Sequence, residues 1–134
     1  MKRVYVDVVA DLFHIGHIRL FKRAKSEGDY LMVGVHSDET TSLYKRSPYI
    51  PQEQRYEMVK SCRYVDEVIE DAPTEITEEF LRKYNIDLVI HGDDVGNHFK
   101  KQHAVPLQQG KMKYISYTSG VSTSEIIERI RRRK

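Results

Sequence analysis

Residues 3–17 read RVYVDVVADLFHIGH, an apolar run that leads into two histidines separated by an isoleucine and a glycine. The valines of 3–9 are typical of a β-strand. Apolar residues recur at helical spacing in HIRLFKRAKSEG, which predicts a helix over 17–28. A buried strand that runs directly into a helix begins a β-α-β unit, so this stretch favours an α/β fold.

The rest of the chain repeats this alternation of apolar runs and amphipathic segments. Further strands are predicted at 30–36, 64–70, 86–92 and 113–117. Further helices are predicted at 52–62, 74–85 and 122–133, and the polar, proline-containing stretch 37–51 is predicted to contain a mobile loop. The pattern predicts a Rossmann-like open parallel sheet of about five strands with helices on both faces.

Composition limits the classes of protein that fit. A chain of 134 residues is expected to form a single domain over 1–134. The formal net charge of +2 does not favour nucleic-acid binding, and no apolar run approaches the ~20 residues of a transmembrane helix. Cys62 is the only cysteine, which favours a cytoplasmic location and a buried structural thiol. The basic stretch RIRRRK, 129–134, is the one weak indication of binding to an anionic membrane surface or to nucleic acid.

Ligands of such folds bind beyond the carboxyl ends of the strands. His14 and His17 flank Gly16 at such a point, where the first helix begins. A helix start offers unpaired N–H groups and a partial positive charge, for which phosphate is a natural ligand. Two imidazoles add directed donors that could stabilise charge in a phosphoryl transfer.

Two rival interpretations of the histidine pair remain open on the motif alone. An isolated pair of this spacing is more often a helix cap with one half-buried histidine. A zinc site is the other rival, but neither H-E-x-x-H nor a cysteine pair accompanies the histidines.

Other polar segments fall at the same predicted edge of the sheet. GVSTSEII, 120–127, places hydroxyl side chains at the start of the last helix, where a second phosphate could be held. Lys45 and Arg46 lie in a loop that could fold over a polyphosphate. Arg55 and Arg63, eight residues apart around one helix, could project toward the same end of the sheet.

Together these motifs resemble those of the cytidylyltransferases that activate phospho-alcohols with CTP. DLFHIGH resembles the H-x-G-H nucleotidyltransferase signature, and TSGVSTSEII resembles the family's R-T-x-G-(I/V)-S-T motif. The stretch 29–73 is most similar to the phosphoethanolamine and phosphocholine enzymes, whereas the compact length is more similar to glycerol-3-phosphate cytidylyltransferases. The resemblance implies that CMP passes from CTP to a phospho-alcohol, with release of pyrophosphate.

The resemblance also implies roles for individual residues. Those matching catalytic positions are His14, His17, Lys45, Arg55, Arg63 and Thr123. Those matching CTP-binding positions, besides the two histidines and Thr123, are Val9, Ala10, Asp11, Gly16, His91, Gly92, Asp93, Asp94, Tyr117, Thr118, Ser119, Gly120, Val121, Ser122 and Ser124. Those expected near the acceptor are Lys45, Arg46 and Thr74. The resemblance further implies Mg²⁺ as the companion of CTP, with ligands unknown, and a homodimer that forms near RYVDEV.

The sequence departs from the family pattern in three places, which involve four residues. Val8 and Ala10 stand where the family has a glycine and an aromatic residue, and Tyr117 replaces an arginine. Thr74 stands where the choline enzyme has a tryptophan, which disfavours a quaternary ammonium acceptor. Phosphoethanolamine is therefore the favoured acceptor and glycerol 3-phosphate the alternative. A CTP-binding protein with weak or lost catalysis is the alternative of another class.

Overall fold

A five-stranded, all-parallel sheet in the order β3-β2-β1-β4-β5 organises the molecule. The computed structural model describes residues 1–92, 101–116 and 122–133. The strands are β1 (Arg3–Val8), β2 (Tyr30–Val35), β3 (Glu67–Glu70), β4 (Leu88–Gly92) and β5 (Met112–Ile115). The helices are α1 (Ile15–Lys25), α2 (Asp38–Ser42), α3 (Gln52–Lys60), α4 (Glu78–Lys83), α5 (Ala104–Gln108) and α6 (Thr123–Arg132). The predicted fold class is confirmed.

Two apolar layers cover the two faces of the sheet, because successive side chains of each strand point to opposite sides. On one face, Val4 and Val6 of β1 join a cluster with Phe21 of α1 and Val59 of α3. On the other face, Tyr5 joins a cluster that includes residues of α4. The helices thus lie on both faces, as the alternation of apolar runs predicts.

The strand order reverses next to β1, which pairs with β2 on one side and β4 on the other. In open α/β sheets a crevice forms at this switch point, beyond the carboxyl ends of the strands. The turn between β1 and α1 occupies that position and contains two residues with positive φ, Ala10 at 61° and Leu12 at 49°. Non-glycine residues adopt this conformation at a cost of roughly 1–2 kcal/mol each, and such strain often accompanies functional sites.

Several element boundaries differ from the sequence predictions. Helix α1 begins at Ile15 rather than residue 17, because the His14 side chain caps it. Helix α4 begins at Glu78 rather than residue 74, and Thr77 is its cap. Part of the predicted loop 37–51 is the short helix α2. None of the helices in the described ranges has the length and apolarity needed to cross a bilayer.

Candidate active site

The two histidines of the H-x-G-H stretch are fixed by the backbone of the helix start. The Gly16 N–H donates to His14 Nδ1 at 3.0 Å, and the His14 N–H donates to His17 Nδ1 at 3.1 Å. Since both Nδ1 atoms accept, each neutral ring carries its hydrogen on Nε2. The helix cap and the presentation of two Nε2–H donors are therefore the same structural feature.

Both imidazoles are held in the neutral form. Burial lowers the pKa of His14. Burial, followed by the charges of His14 and Lys45, lowers the pKa of His17 to about 3. The His17 ring also stacks on Phe13, with ring centroids 5.3 Å apart. Near neutral pH the pair therefore consists of uncharged, oriented hydrogen-bond donors.

The start of α6 meets the start of α1 at this point. The Thr123 hydroxyl donates to the Asp11 carbonyl at 3.0 Å, and its oxygen lies 3.4 Å from His14 Nε2. Ser122 caps α6 by accepting the Glu125 N–H at 3.1 Å. The half-buried Thr123 and Ser122 thus lie where sequence reasoning expected them, whereas Ser124 is exposed in the first turn of α6.

The connection between α2 and α3, residues 43–51, is anchored beside the histidines by Asp11. Its carboxylate accepts the Tyr49 and Ile50 N–H groups, each at 3.0 Å, and lies 4.0 Å from Arg46. Lys45, in the same connection, is exposed and lowers the pKa of His17, which places its charge near that ring. The structure therefore brings Lys45 and Arg46 to the same edge as the histidine pair.

Arg55 has a different role from the one expected. It is fully buried, and its guanidinium donates to the carbonyls of Val9, His36 and Ile50 at 2.6–2.9 Å. A further donor is paired with Asp38 at 2.7 Å. With these donors engaged, Arg55 joins the ends of β1 and β2 to the start of α3, and it supports the site rather than reaching a ligand.

Arg63 and Arg55 lie at opposite ends of the strands, because the chain runs along α3 from the carboxyl ends to the amino ends of the sheet. It precedes β3 and therefore lies toward the amino ends of the parallel strands. Its exposed guanidinium donates to the Tyr64 hydroxyl at 3.0 Å. Within one protomer, the expectation that both arginines project toward the same end of the sheet is therefore wrong.

A second polar cluster lies at the carboxyl edge, around Asp7 of β1. Its carboxylate oxygens lie 3.5 Å from His36 Nε2 and 3.6 Å from His91 Nε2. The His103 ring lies beside the His91 ring, tilted by 56° with centroids 4.9 Å apart, and its Nδ1 shares a hydrogen bond with the Tyr114 hydroxyl at 3.1 Å. We call Asp7, His36, His91 and His103 the Asp7 cluster.

The Asp7 carboxylate stays ionised although it is 8% exposed. Burial alone would raise its pKa, but the contact with His36 and the charges of the neighbouring histidines outweigh burial and lower the pKa. Among the described residues, Asp7 Oδ1 accepts no hydrogen bond and no lysine or arginine pairs with the carboxylate. A buried anion of this kind is costly unless a cation or donor completes it.

Sequence reasoning placed the segment from His36 onward at the carboxyl edge of the sheet, but it assigned no role to Asp7, His36, His103 or Tyr44. A signal existed for Asp7, since a charged residue in the middle of a buried strand is unusual. His36 also follows a fully apolar strand. Neither signal could show that strand pairing places Asp7 between His36, which directly follows β2, and His91, which lies on β4.

The other predicted site residues divide into two groups. Val9, Ala10 and Gly16 lie in the turn and helix start beside the histidines, Gly92 ends β4, and half-buried Thr74 follows β3. The remaining predicted residues lie outside the described residues, and they are Asp93, Asp94, Tyr117, Thr118, Ser119, Gly120 and Val121.

Comparison with known proteins gives a consistent result. The profile of the cytidylyltransferase-like family matches residues 6–129. The chain is 42% identical over 130 residues to an ethanolamine-phosphate cytidylyltransferase of Dictyostelium discoideum, covering 96% of this chain and 36% of that protein. It is also 42% identical over 139 residues to choline-phosphate cytidylyltransferase A of Rattus norvegicus, with the same coverage values. The chain thus spans little more than a third of the length of these relatives.

Solved structures share the fold at low sequence identity. A lipopolysaccharide core biosynthesis protein from Thermoplasma volcanium superposes with a TM-score of 0.75 at 24% identity, covering 89% of this chain and 99% of that one. A pantothenate synthetase from Thermus thermophilus gives 0.58 at 12% identity, covering 96% of this chain and 64% of that one. These two structures establish the fold alone.

Proposed function

The chain belongs to the cytidylyltransferase-like family, and on that premise we propose that it transfers CMP from CTP to phosphoethanolamine. A phosphate oxygen of the acceptor attacks the α-phosphorus of CTP and forms a new P–O bond. The bond from the α-phosphorus to the bridging oxygen breaks, and that oxygen leaves with pyrophosphate. The products are CDP-ethanolamine and pyrophosphate, with no covalent intermediate on the protein.

The observation that carries CMP transfer is the orientation of His14 and His17. Both Nδ1 atoms accept backbone N–H groups, which leaves the ring hydrogens on Nε2 at the start of α1, that of His14 3.4 Å from the Thr123 hydroxyl oxygen. Donors fixed before the reaction stabilise charge that builds on the phosphoryl oxygens without any cost of reorganisation. Lys45, whose charge acts on His17, would offset the negative charge that the two phosphate substrates bring together.

The Asp7 cluster supports an acceptor that carries an ammonium group. Its buried carboxylate has an oxygen without a hydrogen bond among the described residues, and its near neighbours are His36 and His91. The primary ammonium of phosphoethanolamine could donate to this oxygen, whereas glycerol 3-phosphate would bring only hydroxyl groups. The names of the relatives from Dictyostelium and from Encephalitozoon cuniculi, the latter 35% identical over 132 residues, also support this acceptor.

Mg²⁺, a homodimer and a cytoplasmic location remain part of the proposal. Within the described ranges no group of three or more histidine, cysteine or acidic side chains could hold a metal ion. We propose a Mg²⁺ ion bound mainly by the CTP phosphates, as is usual for this cation. Exposed Met58 on α3 supports a contact between two copies near RYVDEV, which sedimentation velocity would test.

The first test is pyrophosphate release with Mg²⁺ across four nucleoside triphosphates and three acceptors, phosphoethanolamine, phosphocholine and glycerol 3-phosphate. We expect release with CTP and phosphoethanolamine. Release with glycerol 3-phosphate instead would overturn the acceptor assignment. If no combination releases pyrophosphate while CTP still raises the melting temperature, the protein binds CTP without transferring CMP.

A further inference from the structure

We propose that Tyr44 is a positioning residue, which holds Lys45 over the phosphates by linking its loop through His36 to Asp7. The inference rests on the proposed function for the role of Lys45. The contacts of Tyr44 that support it are observed within the protein and involve no substrate.

Tyr44 is itself 39% exposed, but its hydroxyl reaches inward from the exposed segment 42–47. Its hydroxyl lies 2.5 Å from His36 Nδ1, and the two rings meet edge to face with centroids 5.7 Å apart. His36 is 5% exposed, and its Nε2 is directed at the Asp7 carboxylate 3.5 Å away. Tyr44, His36 and Asp7 thus form one line of side-chain contacts from the loop to the central strand β1.

The hydrogen positions along this line, which consists of one hydrogen bond between Tyr44 and His36 and one 3.5 Å contact between His36 Nε2 and Asp7, follow from its two ends. Burial, together with the nearby Asp7 charge, raises the pKa of Tyr44, so the phenol remains protonated and donates to His36 Nδ1. Because His36 Nδ1 accepts, its Nε2 carries a hydrogen, and that hydrogen faces the ionised Asp7. Tyr44 and Asp7 therefore both favour a His36 ring that accepts at Nδ1 and carries a hydrogen on Nε2.

The neighbouring residue connects this line to the histidine pair. Lys45 follows Tyr44 directly, and its charge acts on His17. The far end of the same loop is fixed separately, by the Tyr49 and Ile50 N–H groups on Asp11. Tyr44 is therefore a side-chain anchor on one side of Lys45, and Arg46, 4.0 Å from the Asp11 carboxylate, lies on the other side. Tyr44 joins the Asp7 cluster to the phosphate-facing part of the site.

This arrangement predicts a particular kind of defect in Tyr44→Phe. The ring remains, but the hydroxyl that bonds to His36 is lost. Because a typical hydrogen bond changes an equilibrium by about 3- to 10-fold, we expect kcat to fall by about that factor. We expect the KM values for CTP and phosphoethanolamine to stay within about twofold, since their own contacts are retained.

Trypsin gives a readout that needs neither substrate nor turnover, because Lys45 and Arg46 are exposed cleavage sites. Fragment masses after brief digestion report cutting at these residues specifically. We expect Tyr44→Phe to be cut there about 3- to 10-fold faster than the wild type. Tyr30→Phe is the matched control, since it removes a tyrosine hydrogen bond to Glu67 at the amino ends of the strands.

The outcomes separate the alternatives. Faster cutting and a lower kcat in Tyr44→Phe, with neither change in Tyr30→Phe, would support the proposal. Unchanged cutting in Tyr44→Phe would overturn it, whether or not the melting temperature falls. Equal changes in both variants would also overturn it, because they would show a general loss of stability. If the wild type transfers no CMP, the proposed function fails while the trypsin comparison still tests the anchor.

Discussion

At the scale of single residues, the histidine at position 17 combines two roles that a substitution can separate. Its Nδ1 accepts the His14 N–H, which leaves the ring hydrogen on Nε2 as a second, separate donor. In His17→Asn the side-chain oxygen replaces Nδ1, but no donor reaches the position of Nε2. We expect turnover to fall by about 10²–10³, as for the loss of one donor to a developing charge.

The same variant should keep its helix cap, so thermal unfolding should change little. His17→Ala, which loses both the cap and the donor, serves as the comparison and should also lose about 1 kcal/mol of stability. Near-normal pyrophosphate release by His17→Asn would show that the Nε2–H group does not act on the phosphates.

Asp7 permits a second test at this scale, directed at the acceptor. Asp7→Asn keeps the shape of the side chain and removes the charge that would attract an ammonium group. We expect kcat/KM for phosphoethanolamine to fall by at least about 10-fold, while the KM for CTP changes little. The measurement is pyrophosphate release under variation of one substrate at a time. An unchanged phosphoethanolamine KM would place the ammonium group elsewhere.

At the scale of elements, the corner between β1, β2 and α3 depends on Arg55. Its guanidinium bridges three carbonyls and Asp38 without exposure to solvent. A lysine cannot reproduce this planar set of donors, and it would leave buried acceptors without partners. We expect Arg55→Lys to lower the free energy of unfolding by about 2–4 kcal/mol, measured by urea denaturation.

A solvent-exposed arginine offers the control for this loss. Arg82→Lys changes a helix ion pair with Glu78 in which both side chains are more than half exposed, so its effect should be small. If Arg55→Lys abolished turnover with unchanged stability, Arg55 would contact a substrate as the family resemblance implies.

The elements themselves could be predicted well from local patterns, and their side-chain partnerships could not. Apolar runs identified all five strands within a few residues, because burial on both faces requires continuous apolar sequence. The start of α1 was placed two residues late because histidine is an uncommon helix cap. The buried position of Arg55 was missed because its partners are carbonyl groups, which every residue possesses.

At the scale of the whole molecule, the predictable part of the site is the part contained in one short segment. His14, Gly16 and His17 are close in sequence, so their meeting at a helix start could be predicted. The Asp7 cluster combines residues from β1, β4 and the segments after β2 and before α5, and only the strand register brings them together. Such a cluster becomes visible when the strand order is known.

The stability of the whole molecule should depend on pH through its buried neutral histidines. Burial and neighbouring charges lower the pKa of His17 to about 3, and burial lowers the pKa of His103 to about 4. In the unfolded chain both titrate near ~6.5. The unfolded state therefore binds more protons below this value, and stability that is fully present above about pH 6.5 is lost as the pH falls toward the two folded-state pKa values.

Each histidine contributes a slope of up to about 1.4 kcal/mol per pH unit in this range, so the pair should reduce the free energy of unfolding by about 3–4 kcal/mol between pH 7 and pH 5. Urea denaturation at the two values measures the loss. Because asparagine does not titrate in this range, the free energy of unfolding of His17→Asn should fall by about half as much between pH 7 and pH 5. Equal stability of the wild type at both values would mean that these rings accept protons in the folded state, and the neutral donors assigned to the site would then be wrong.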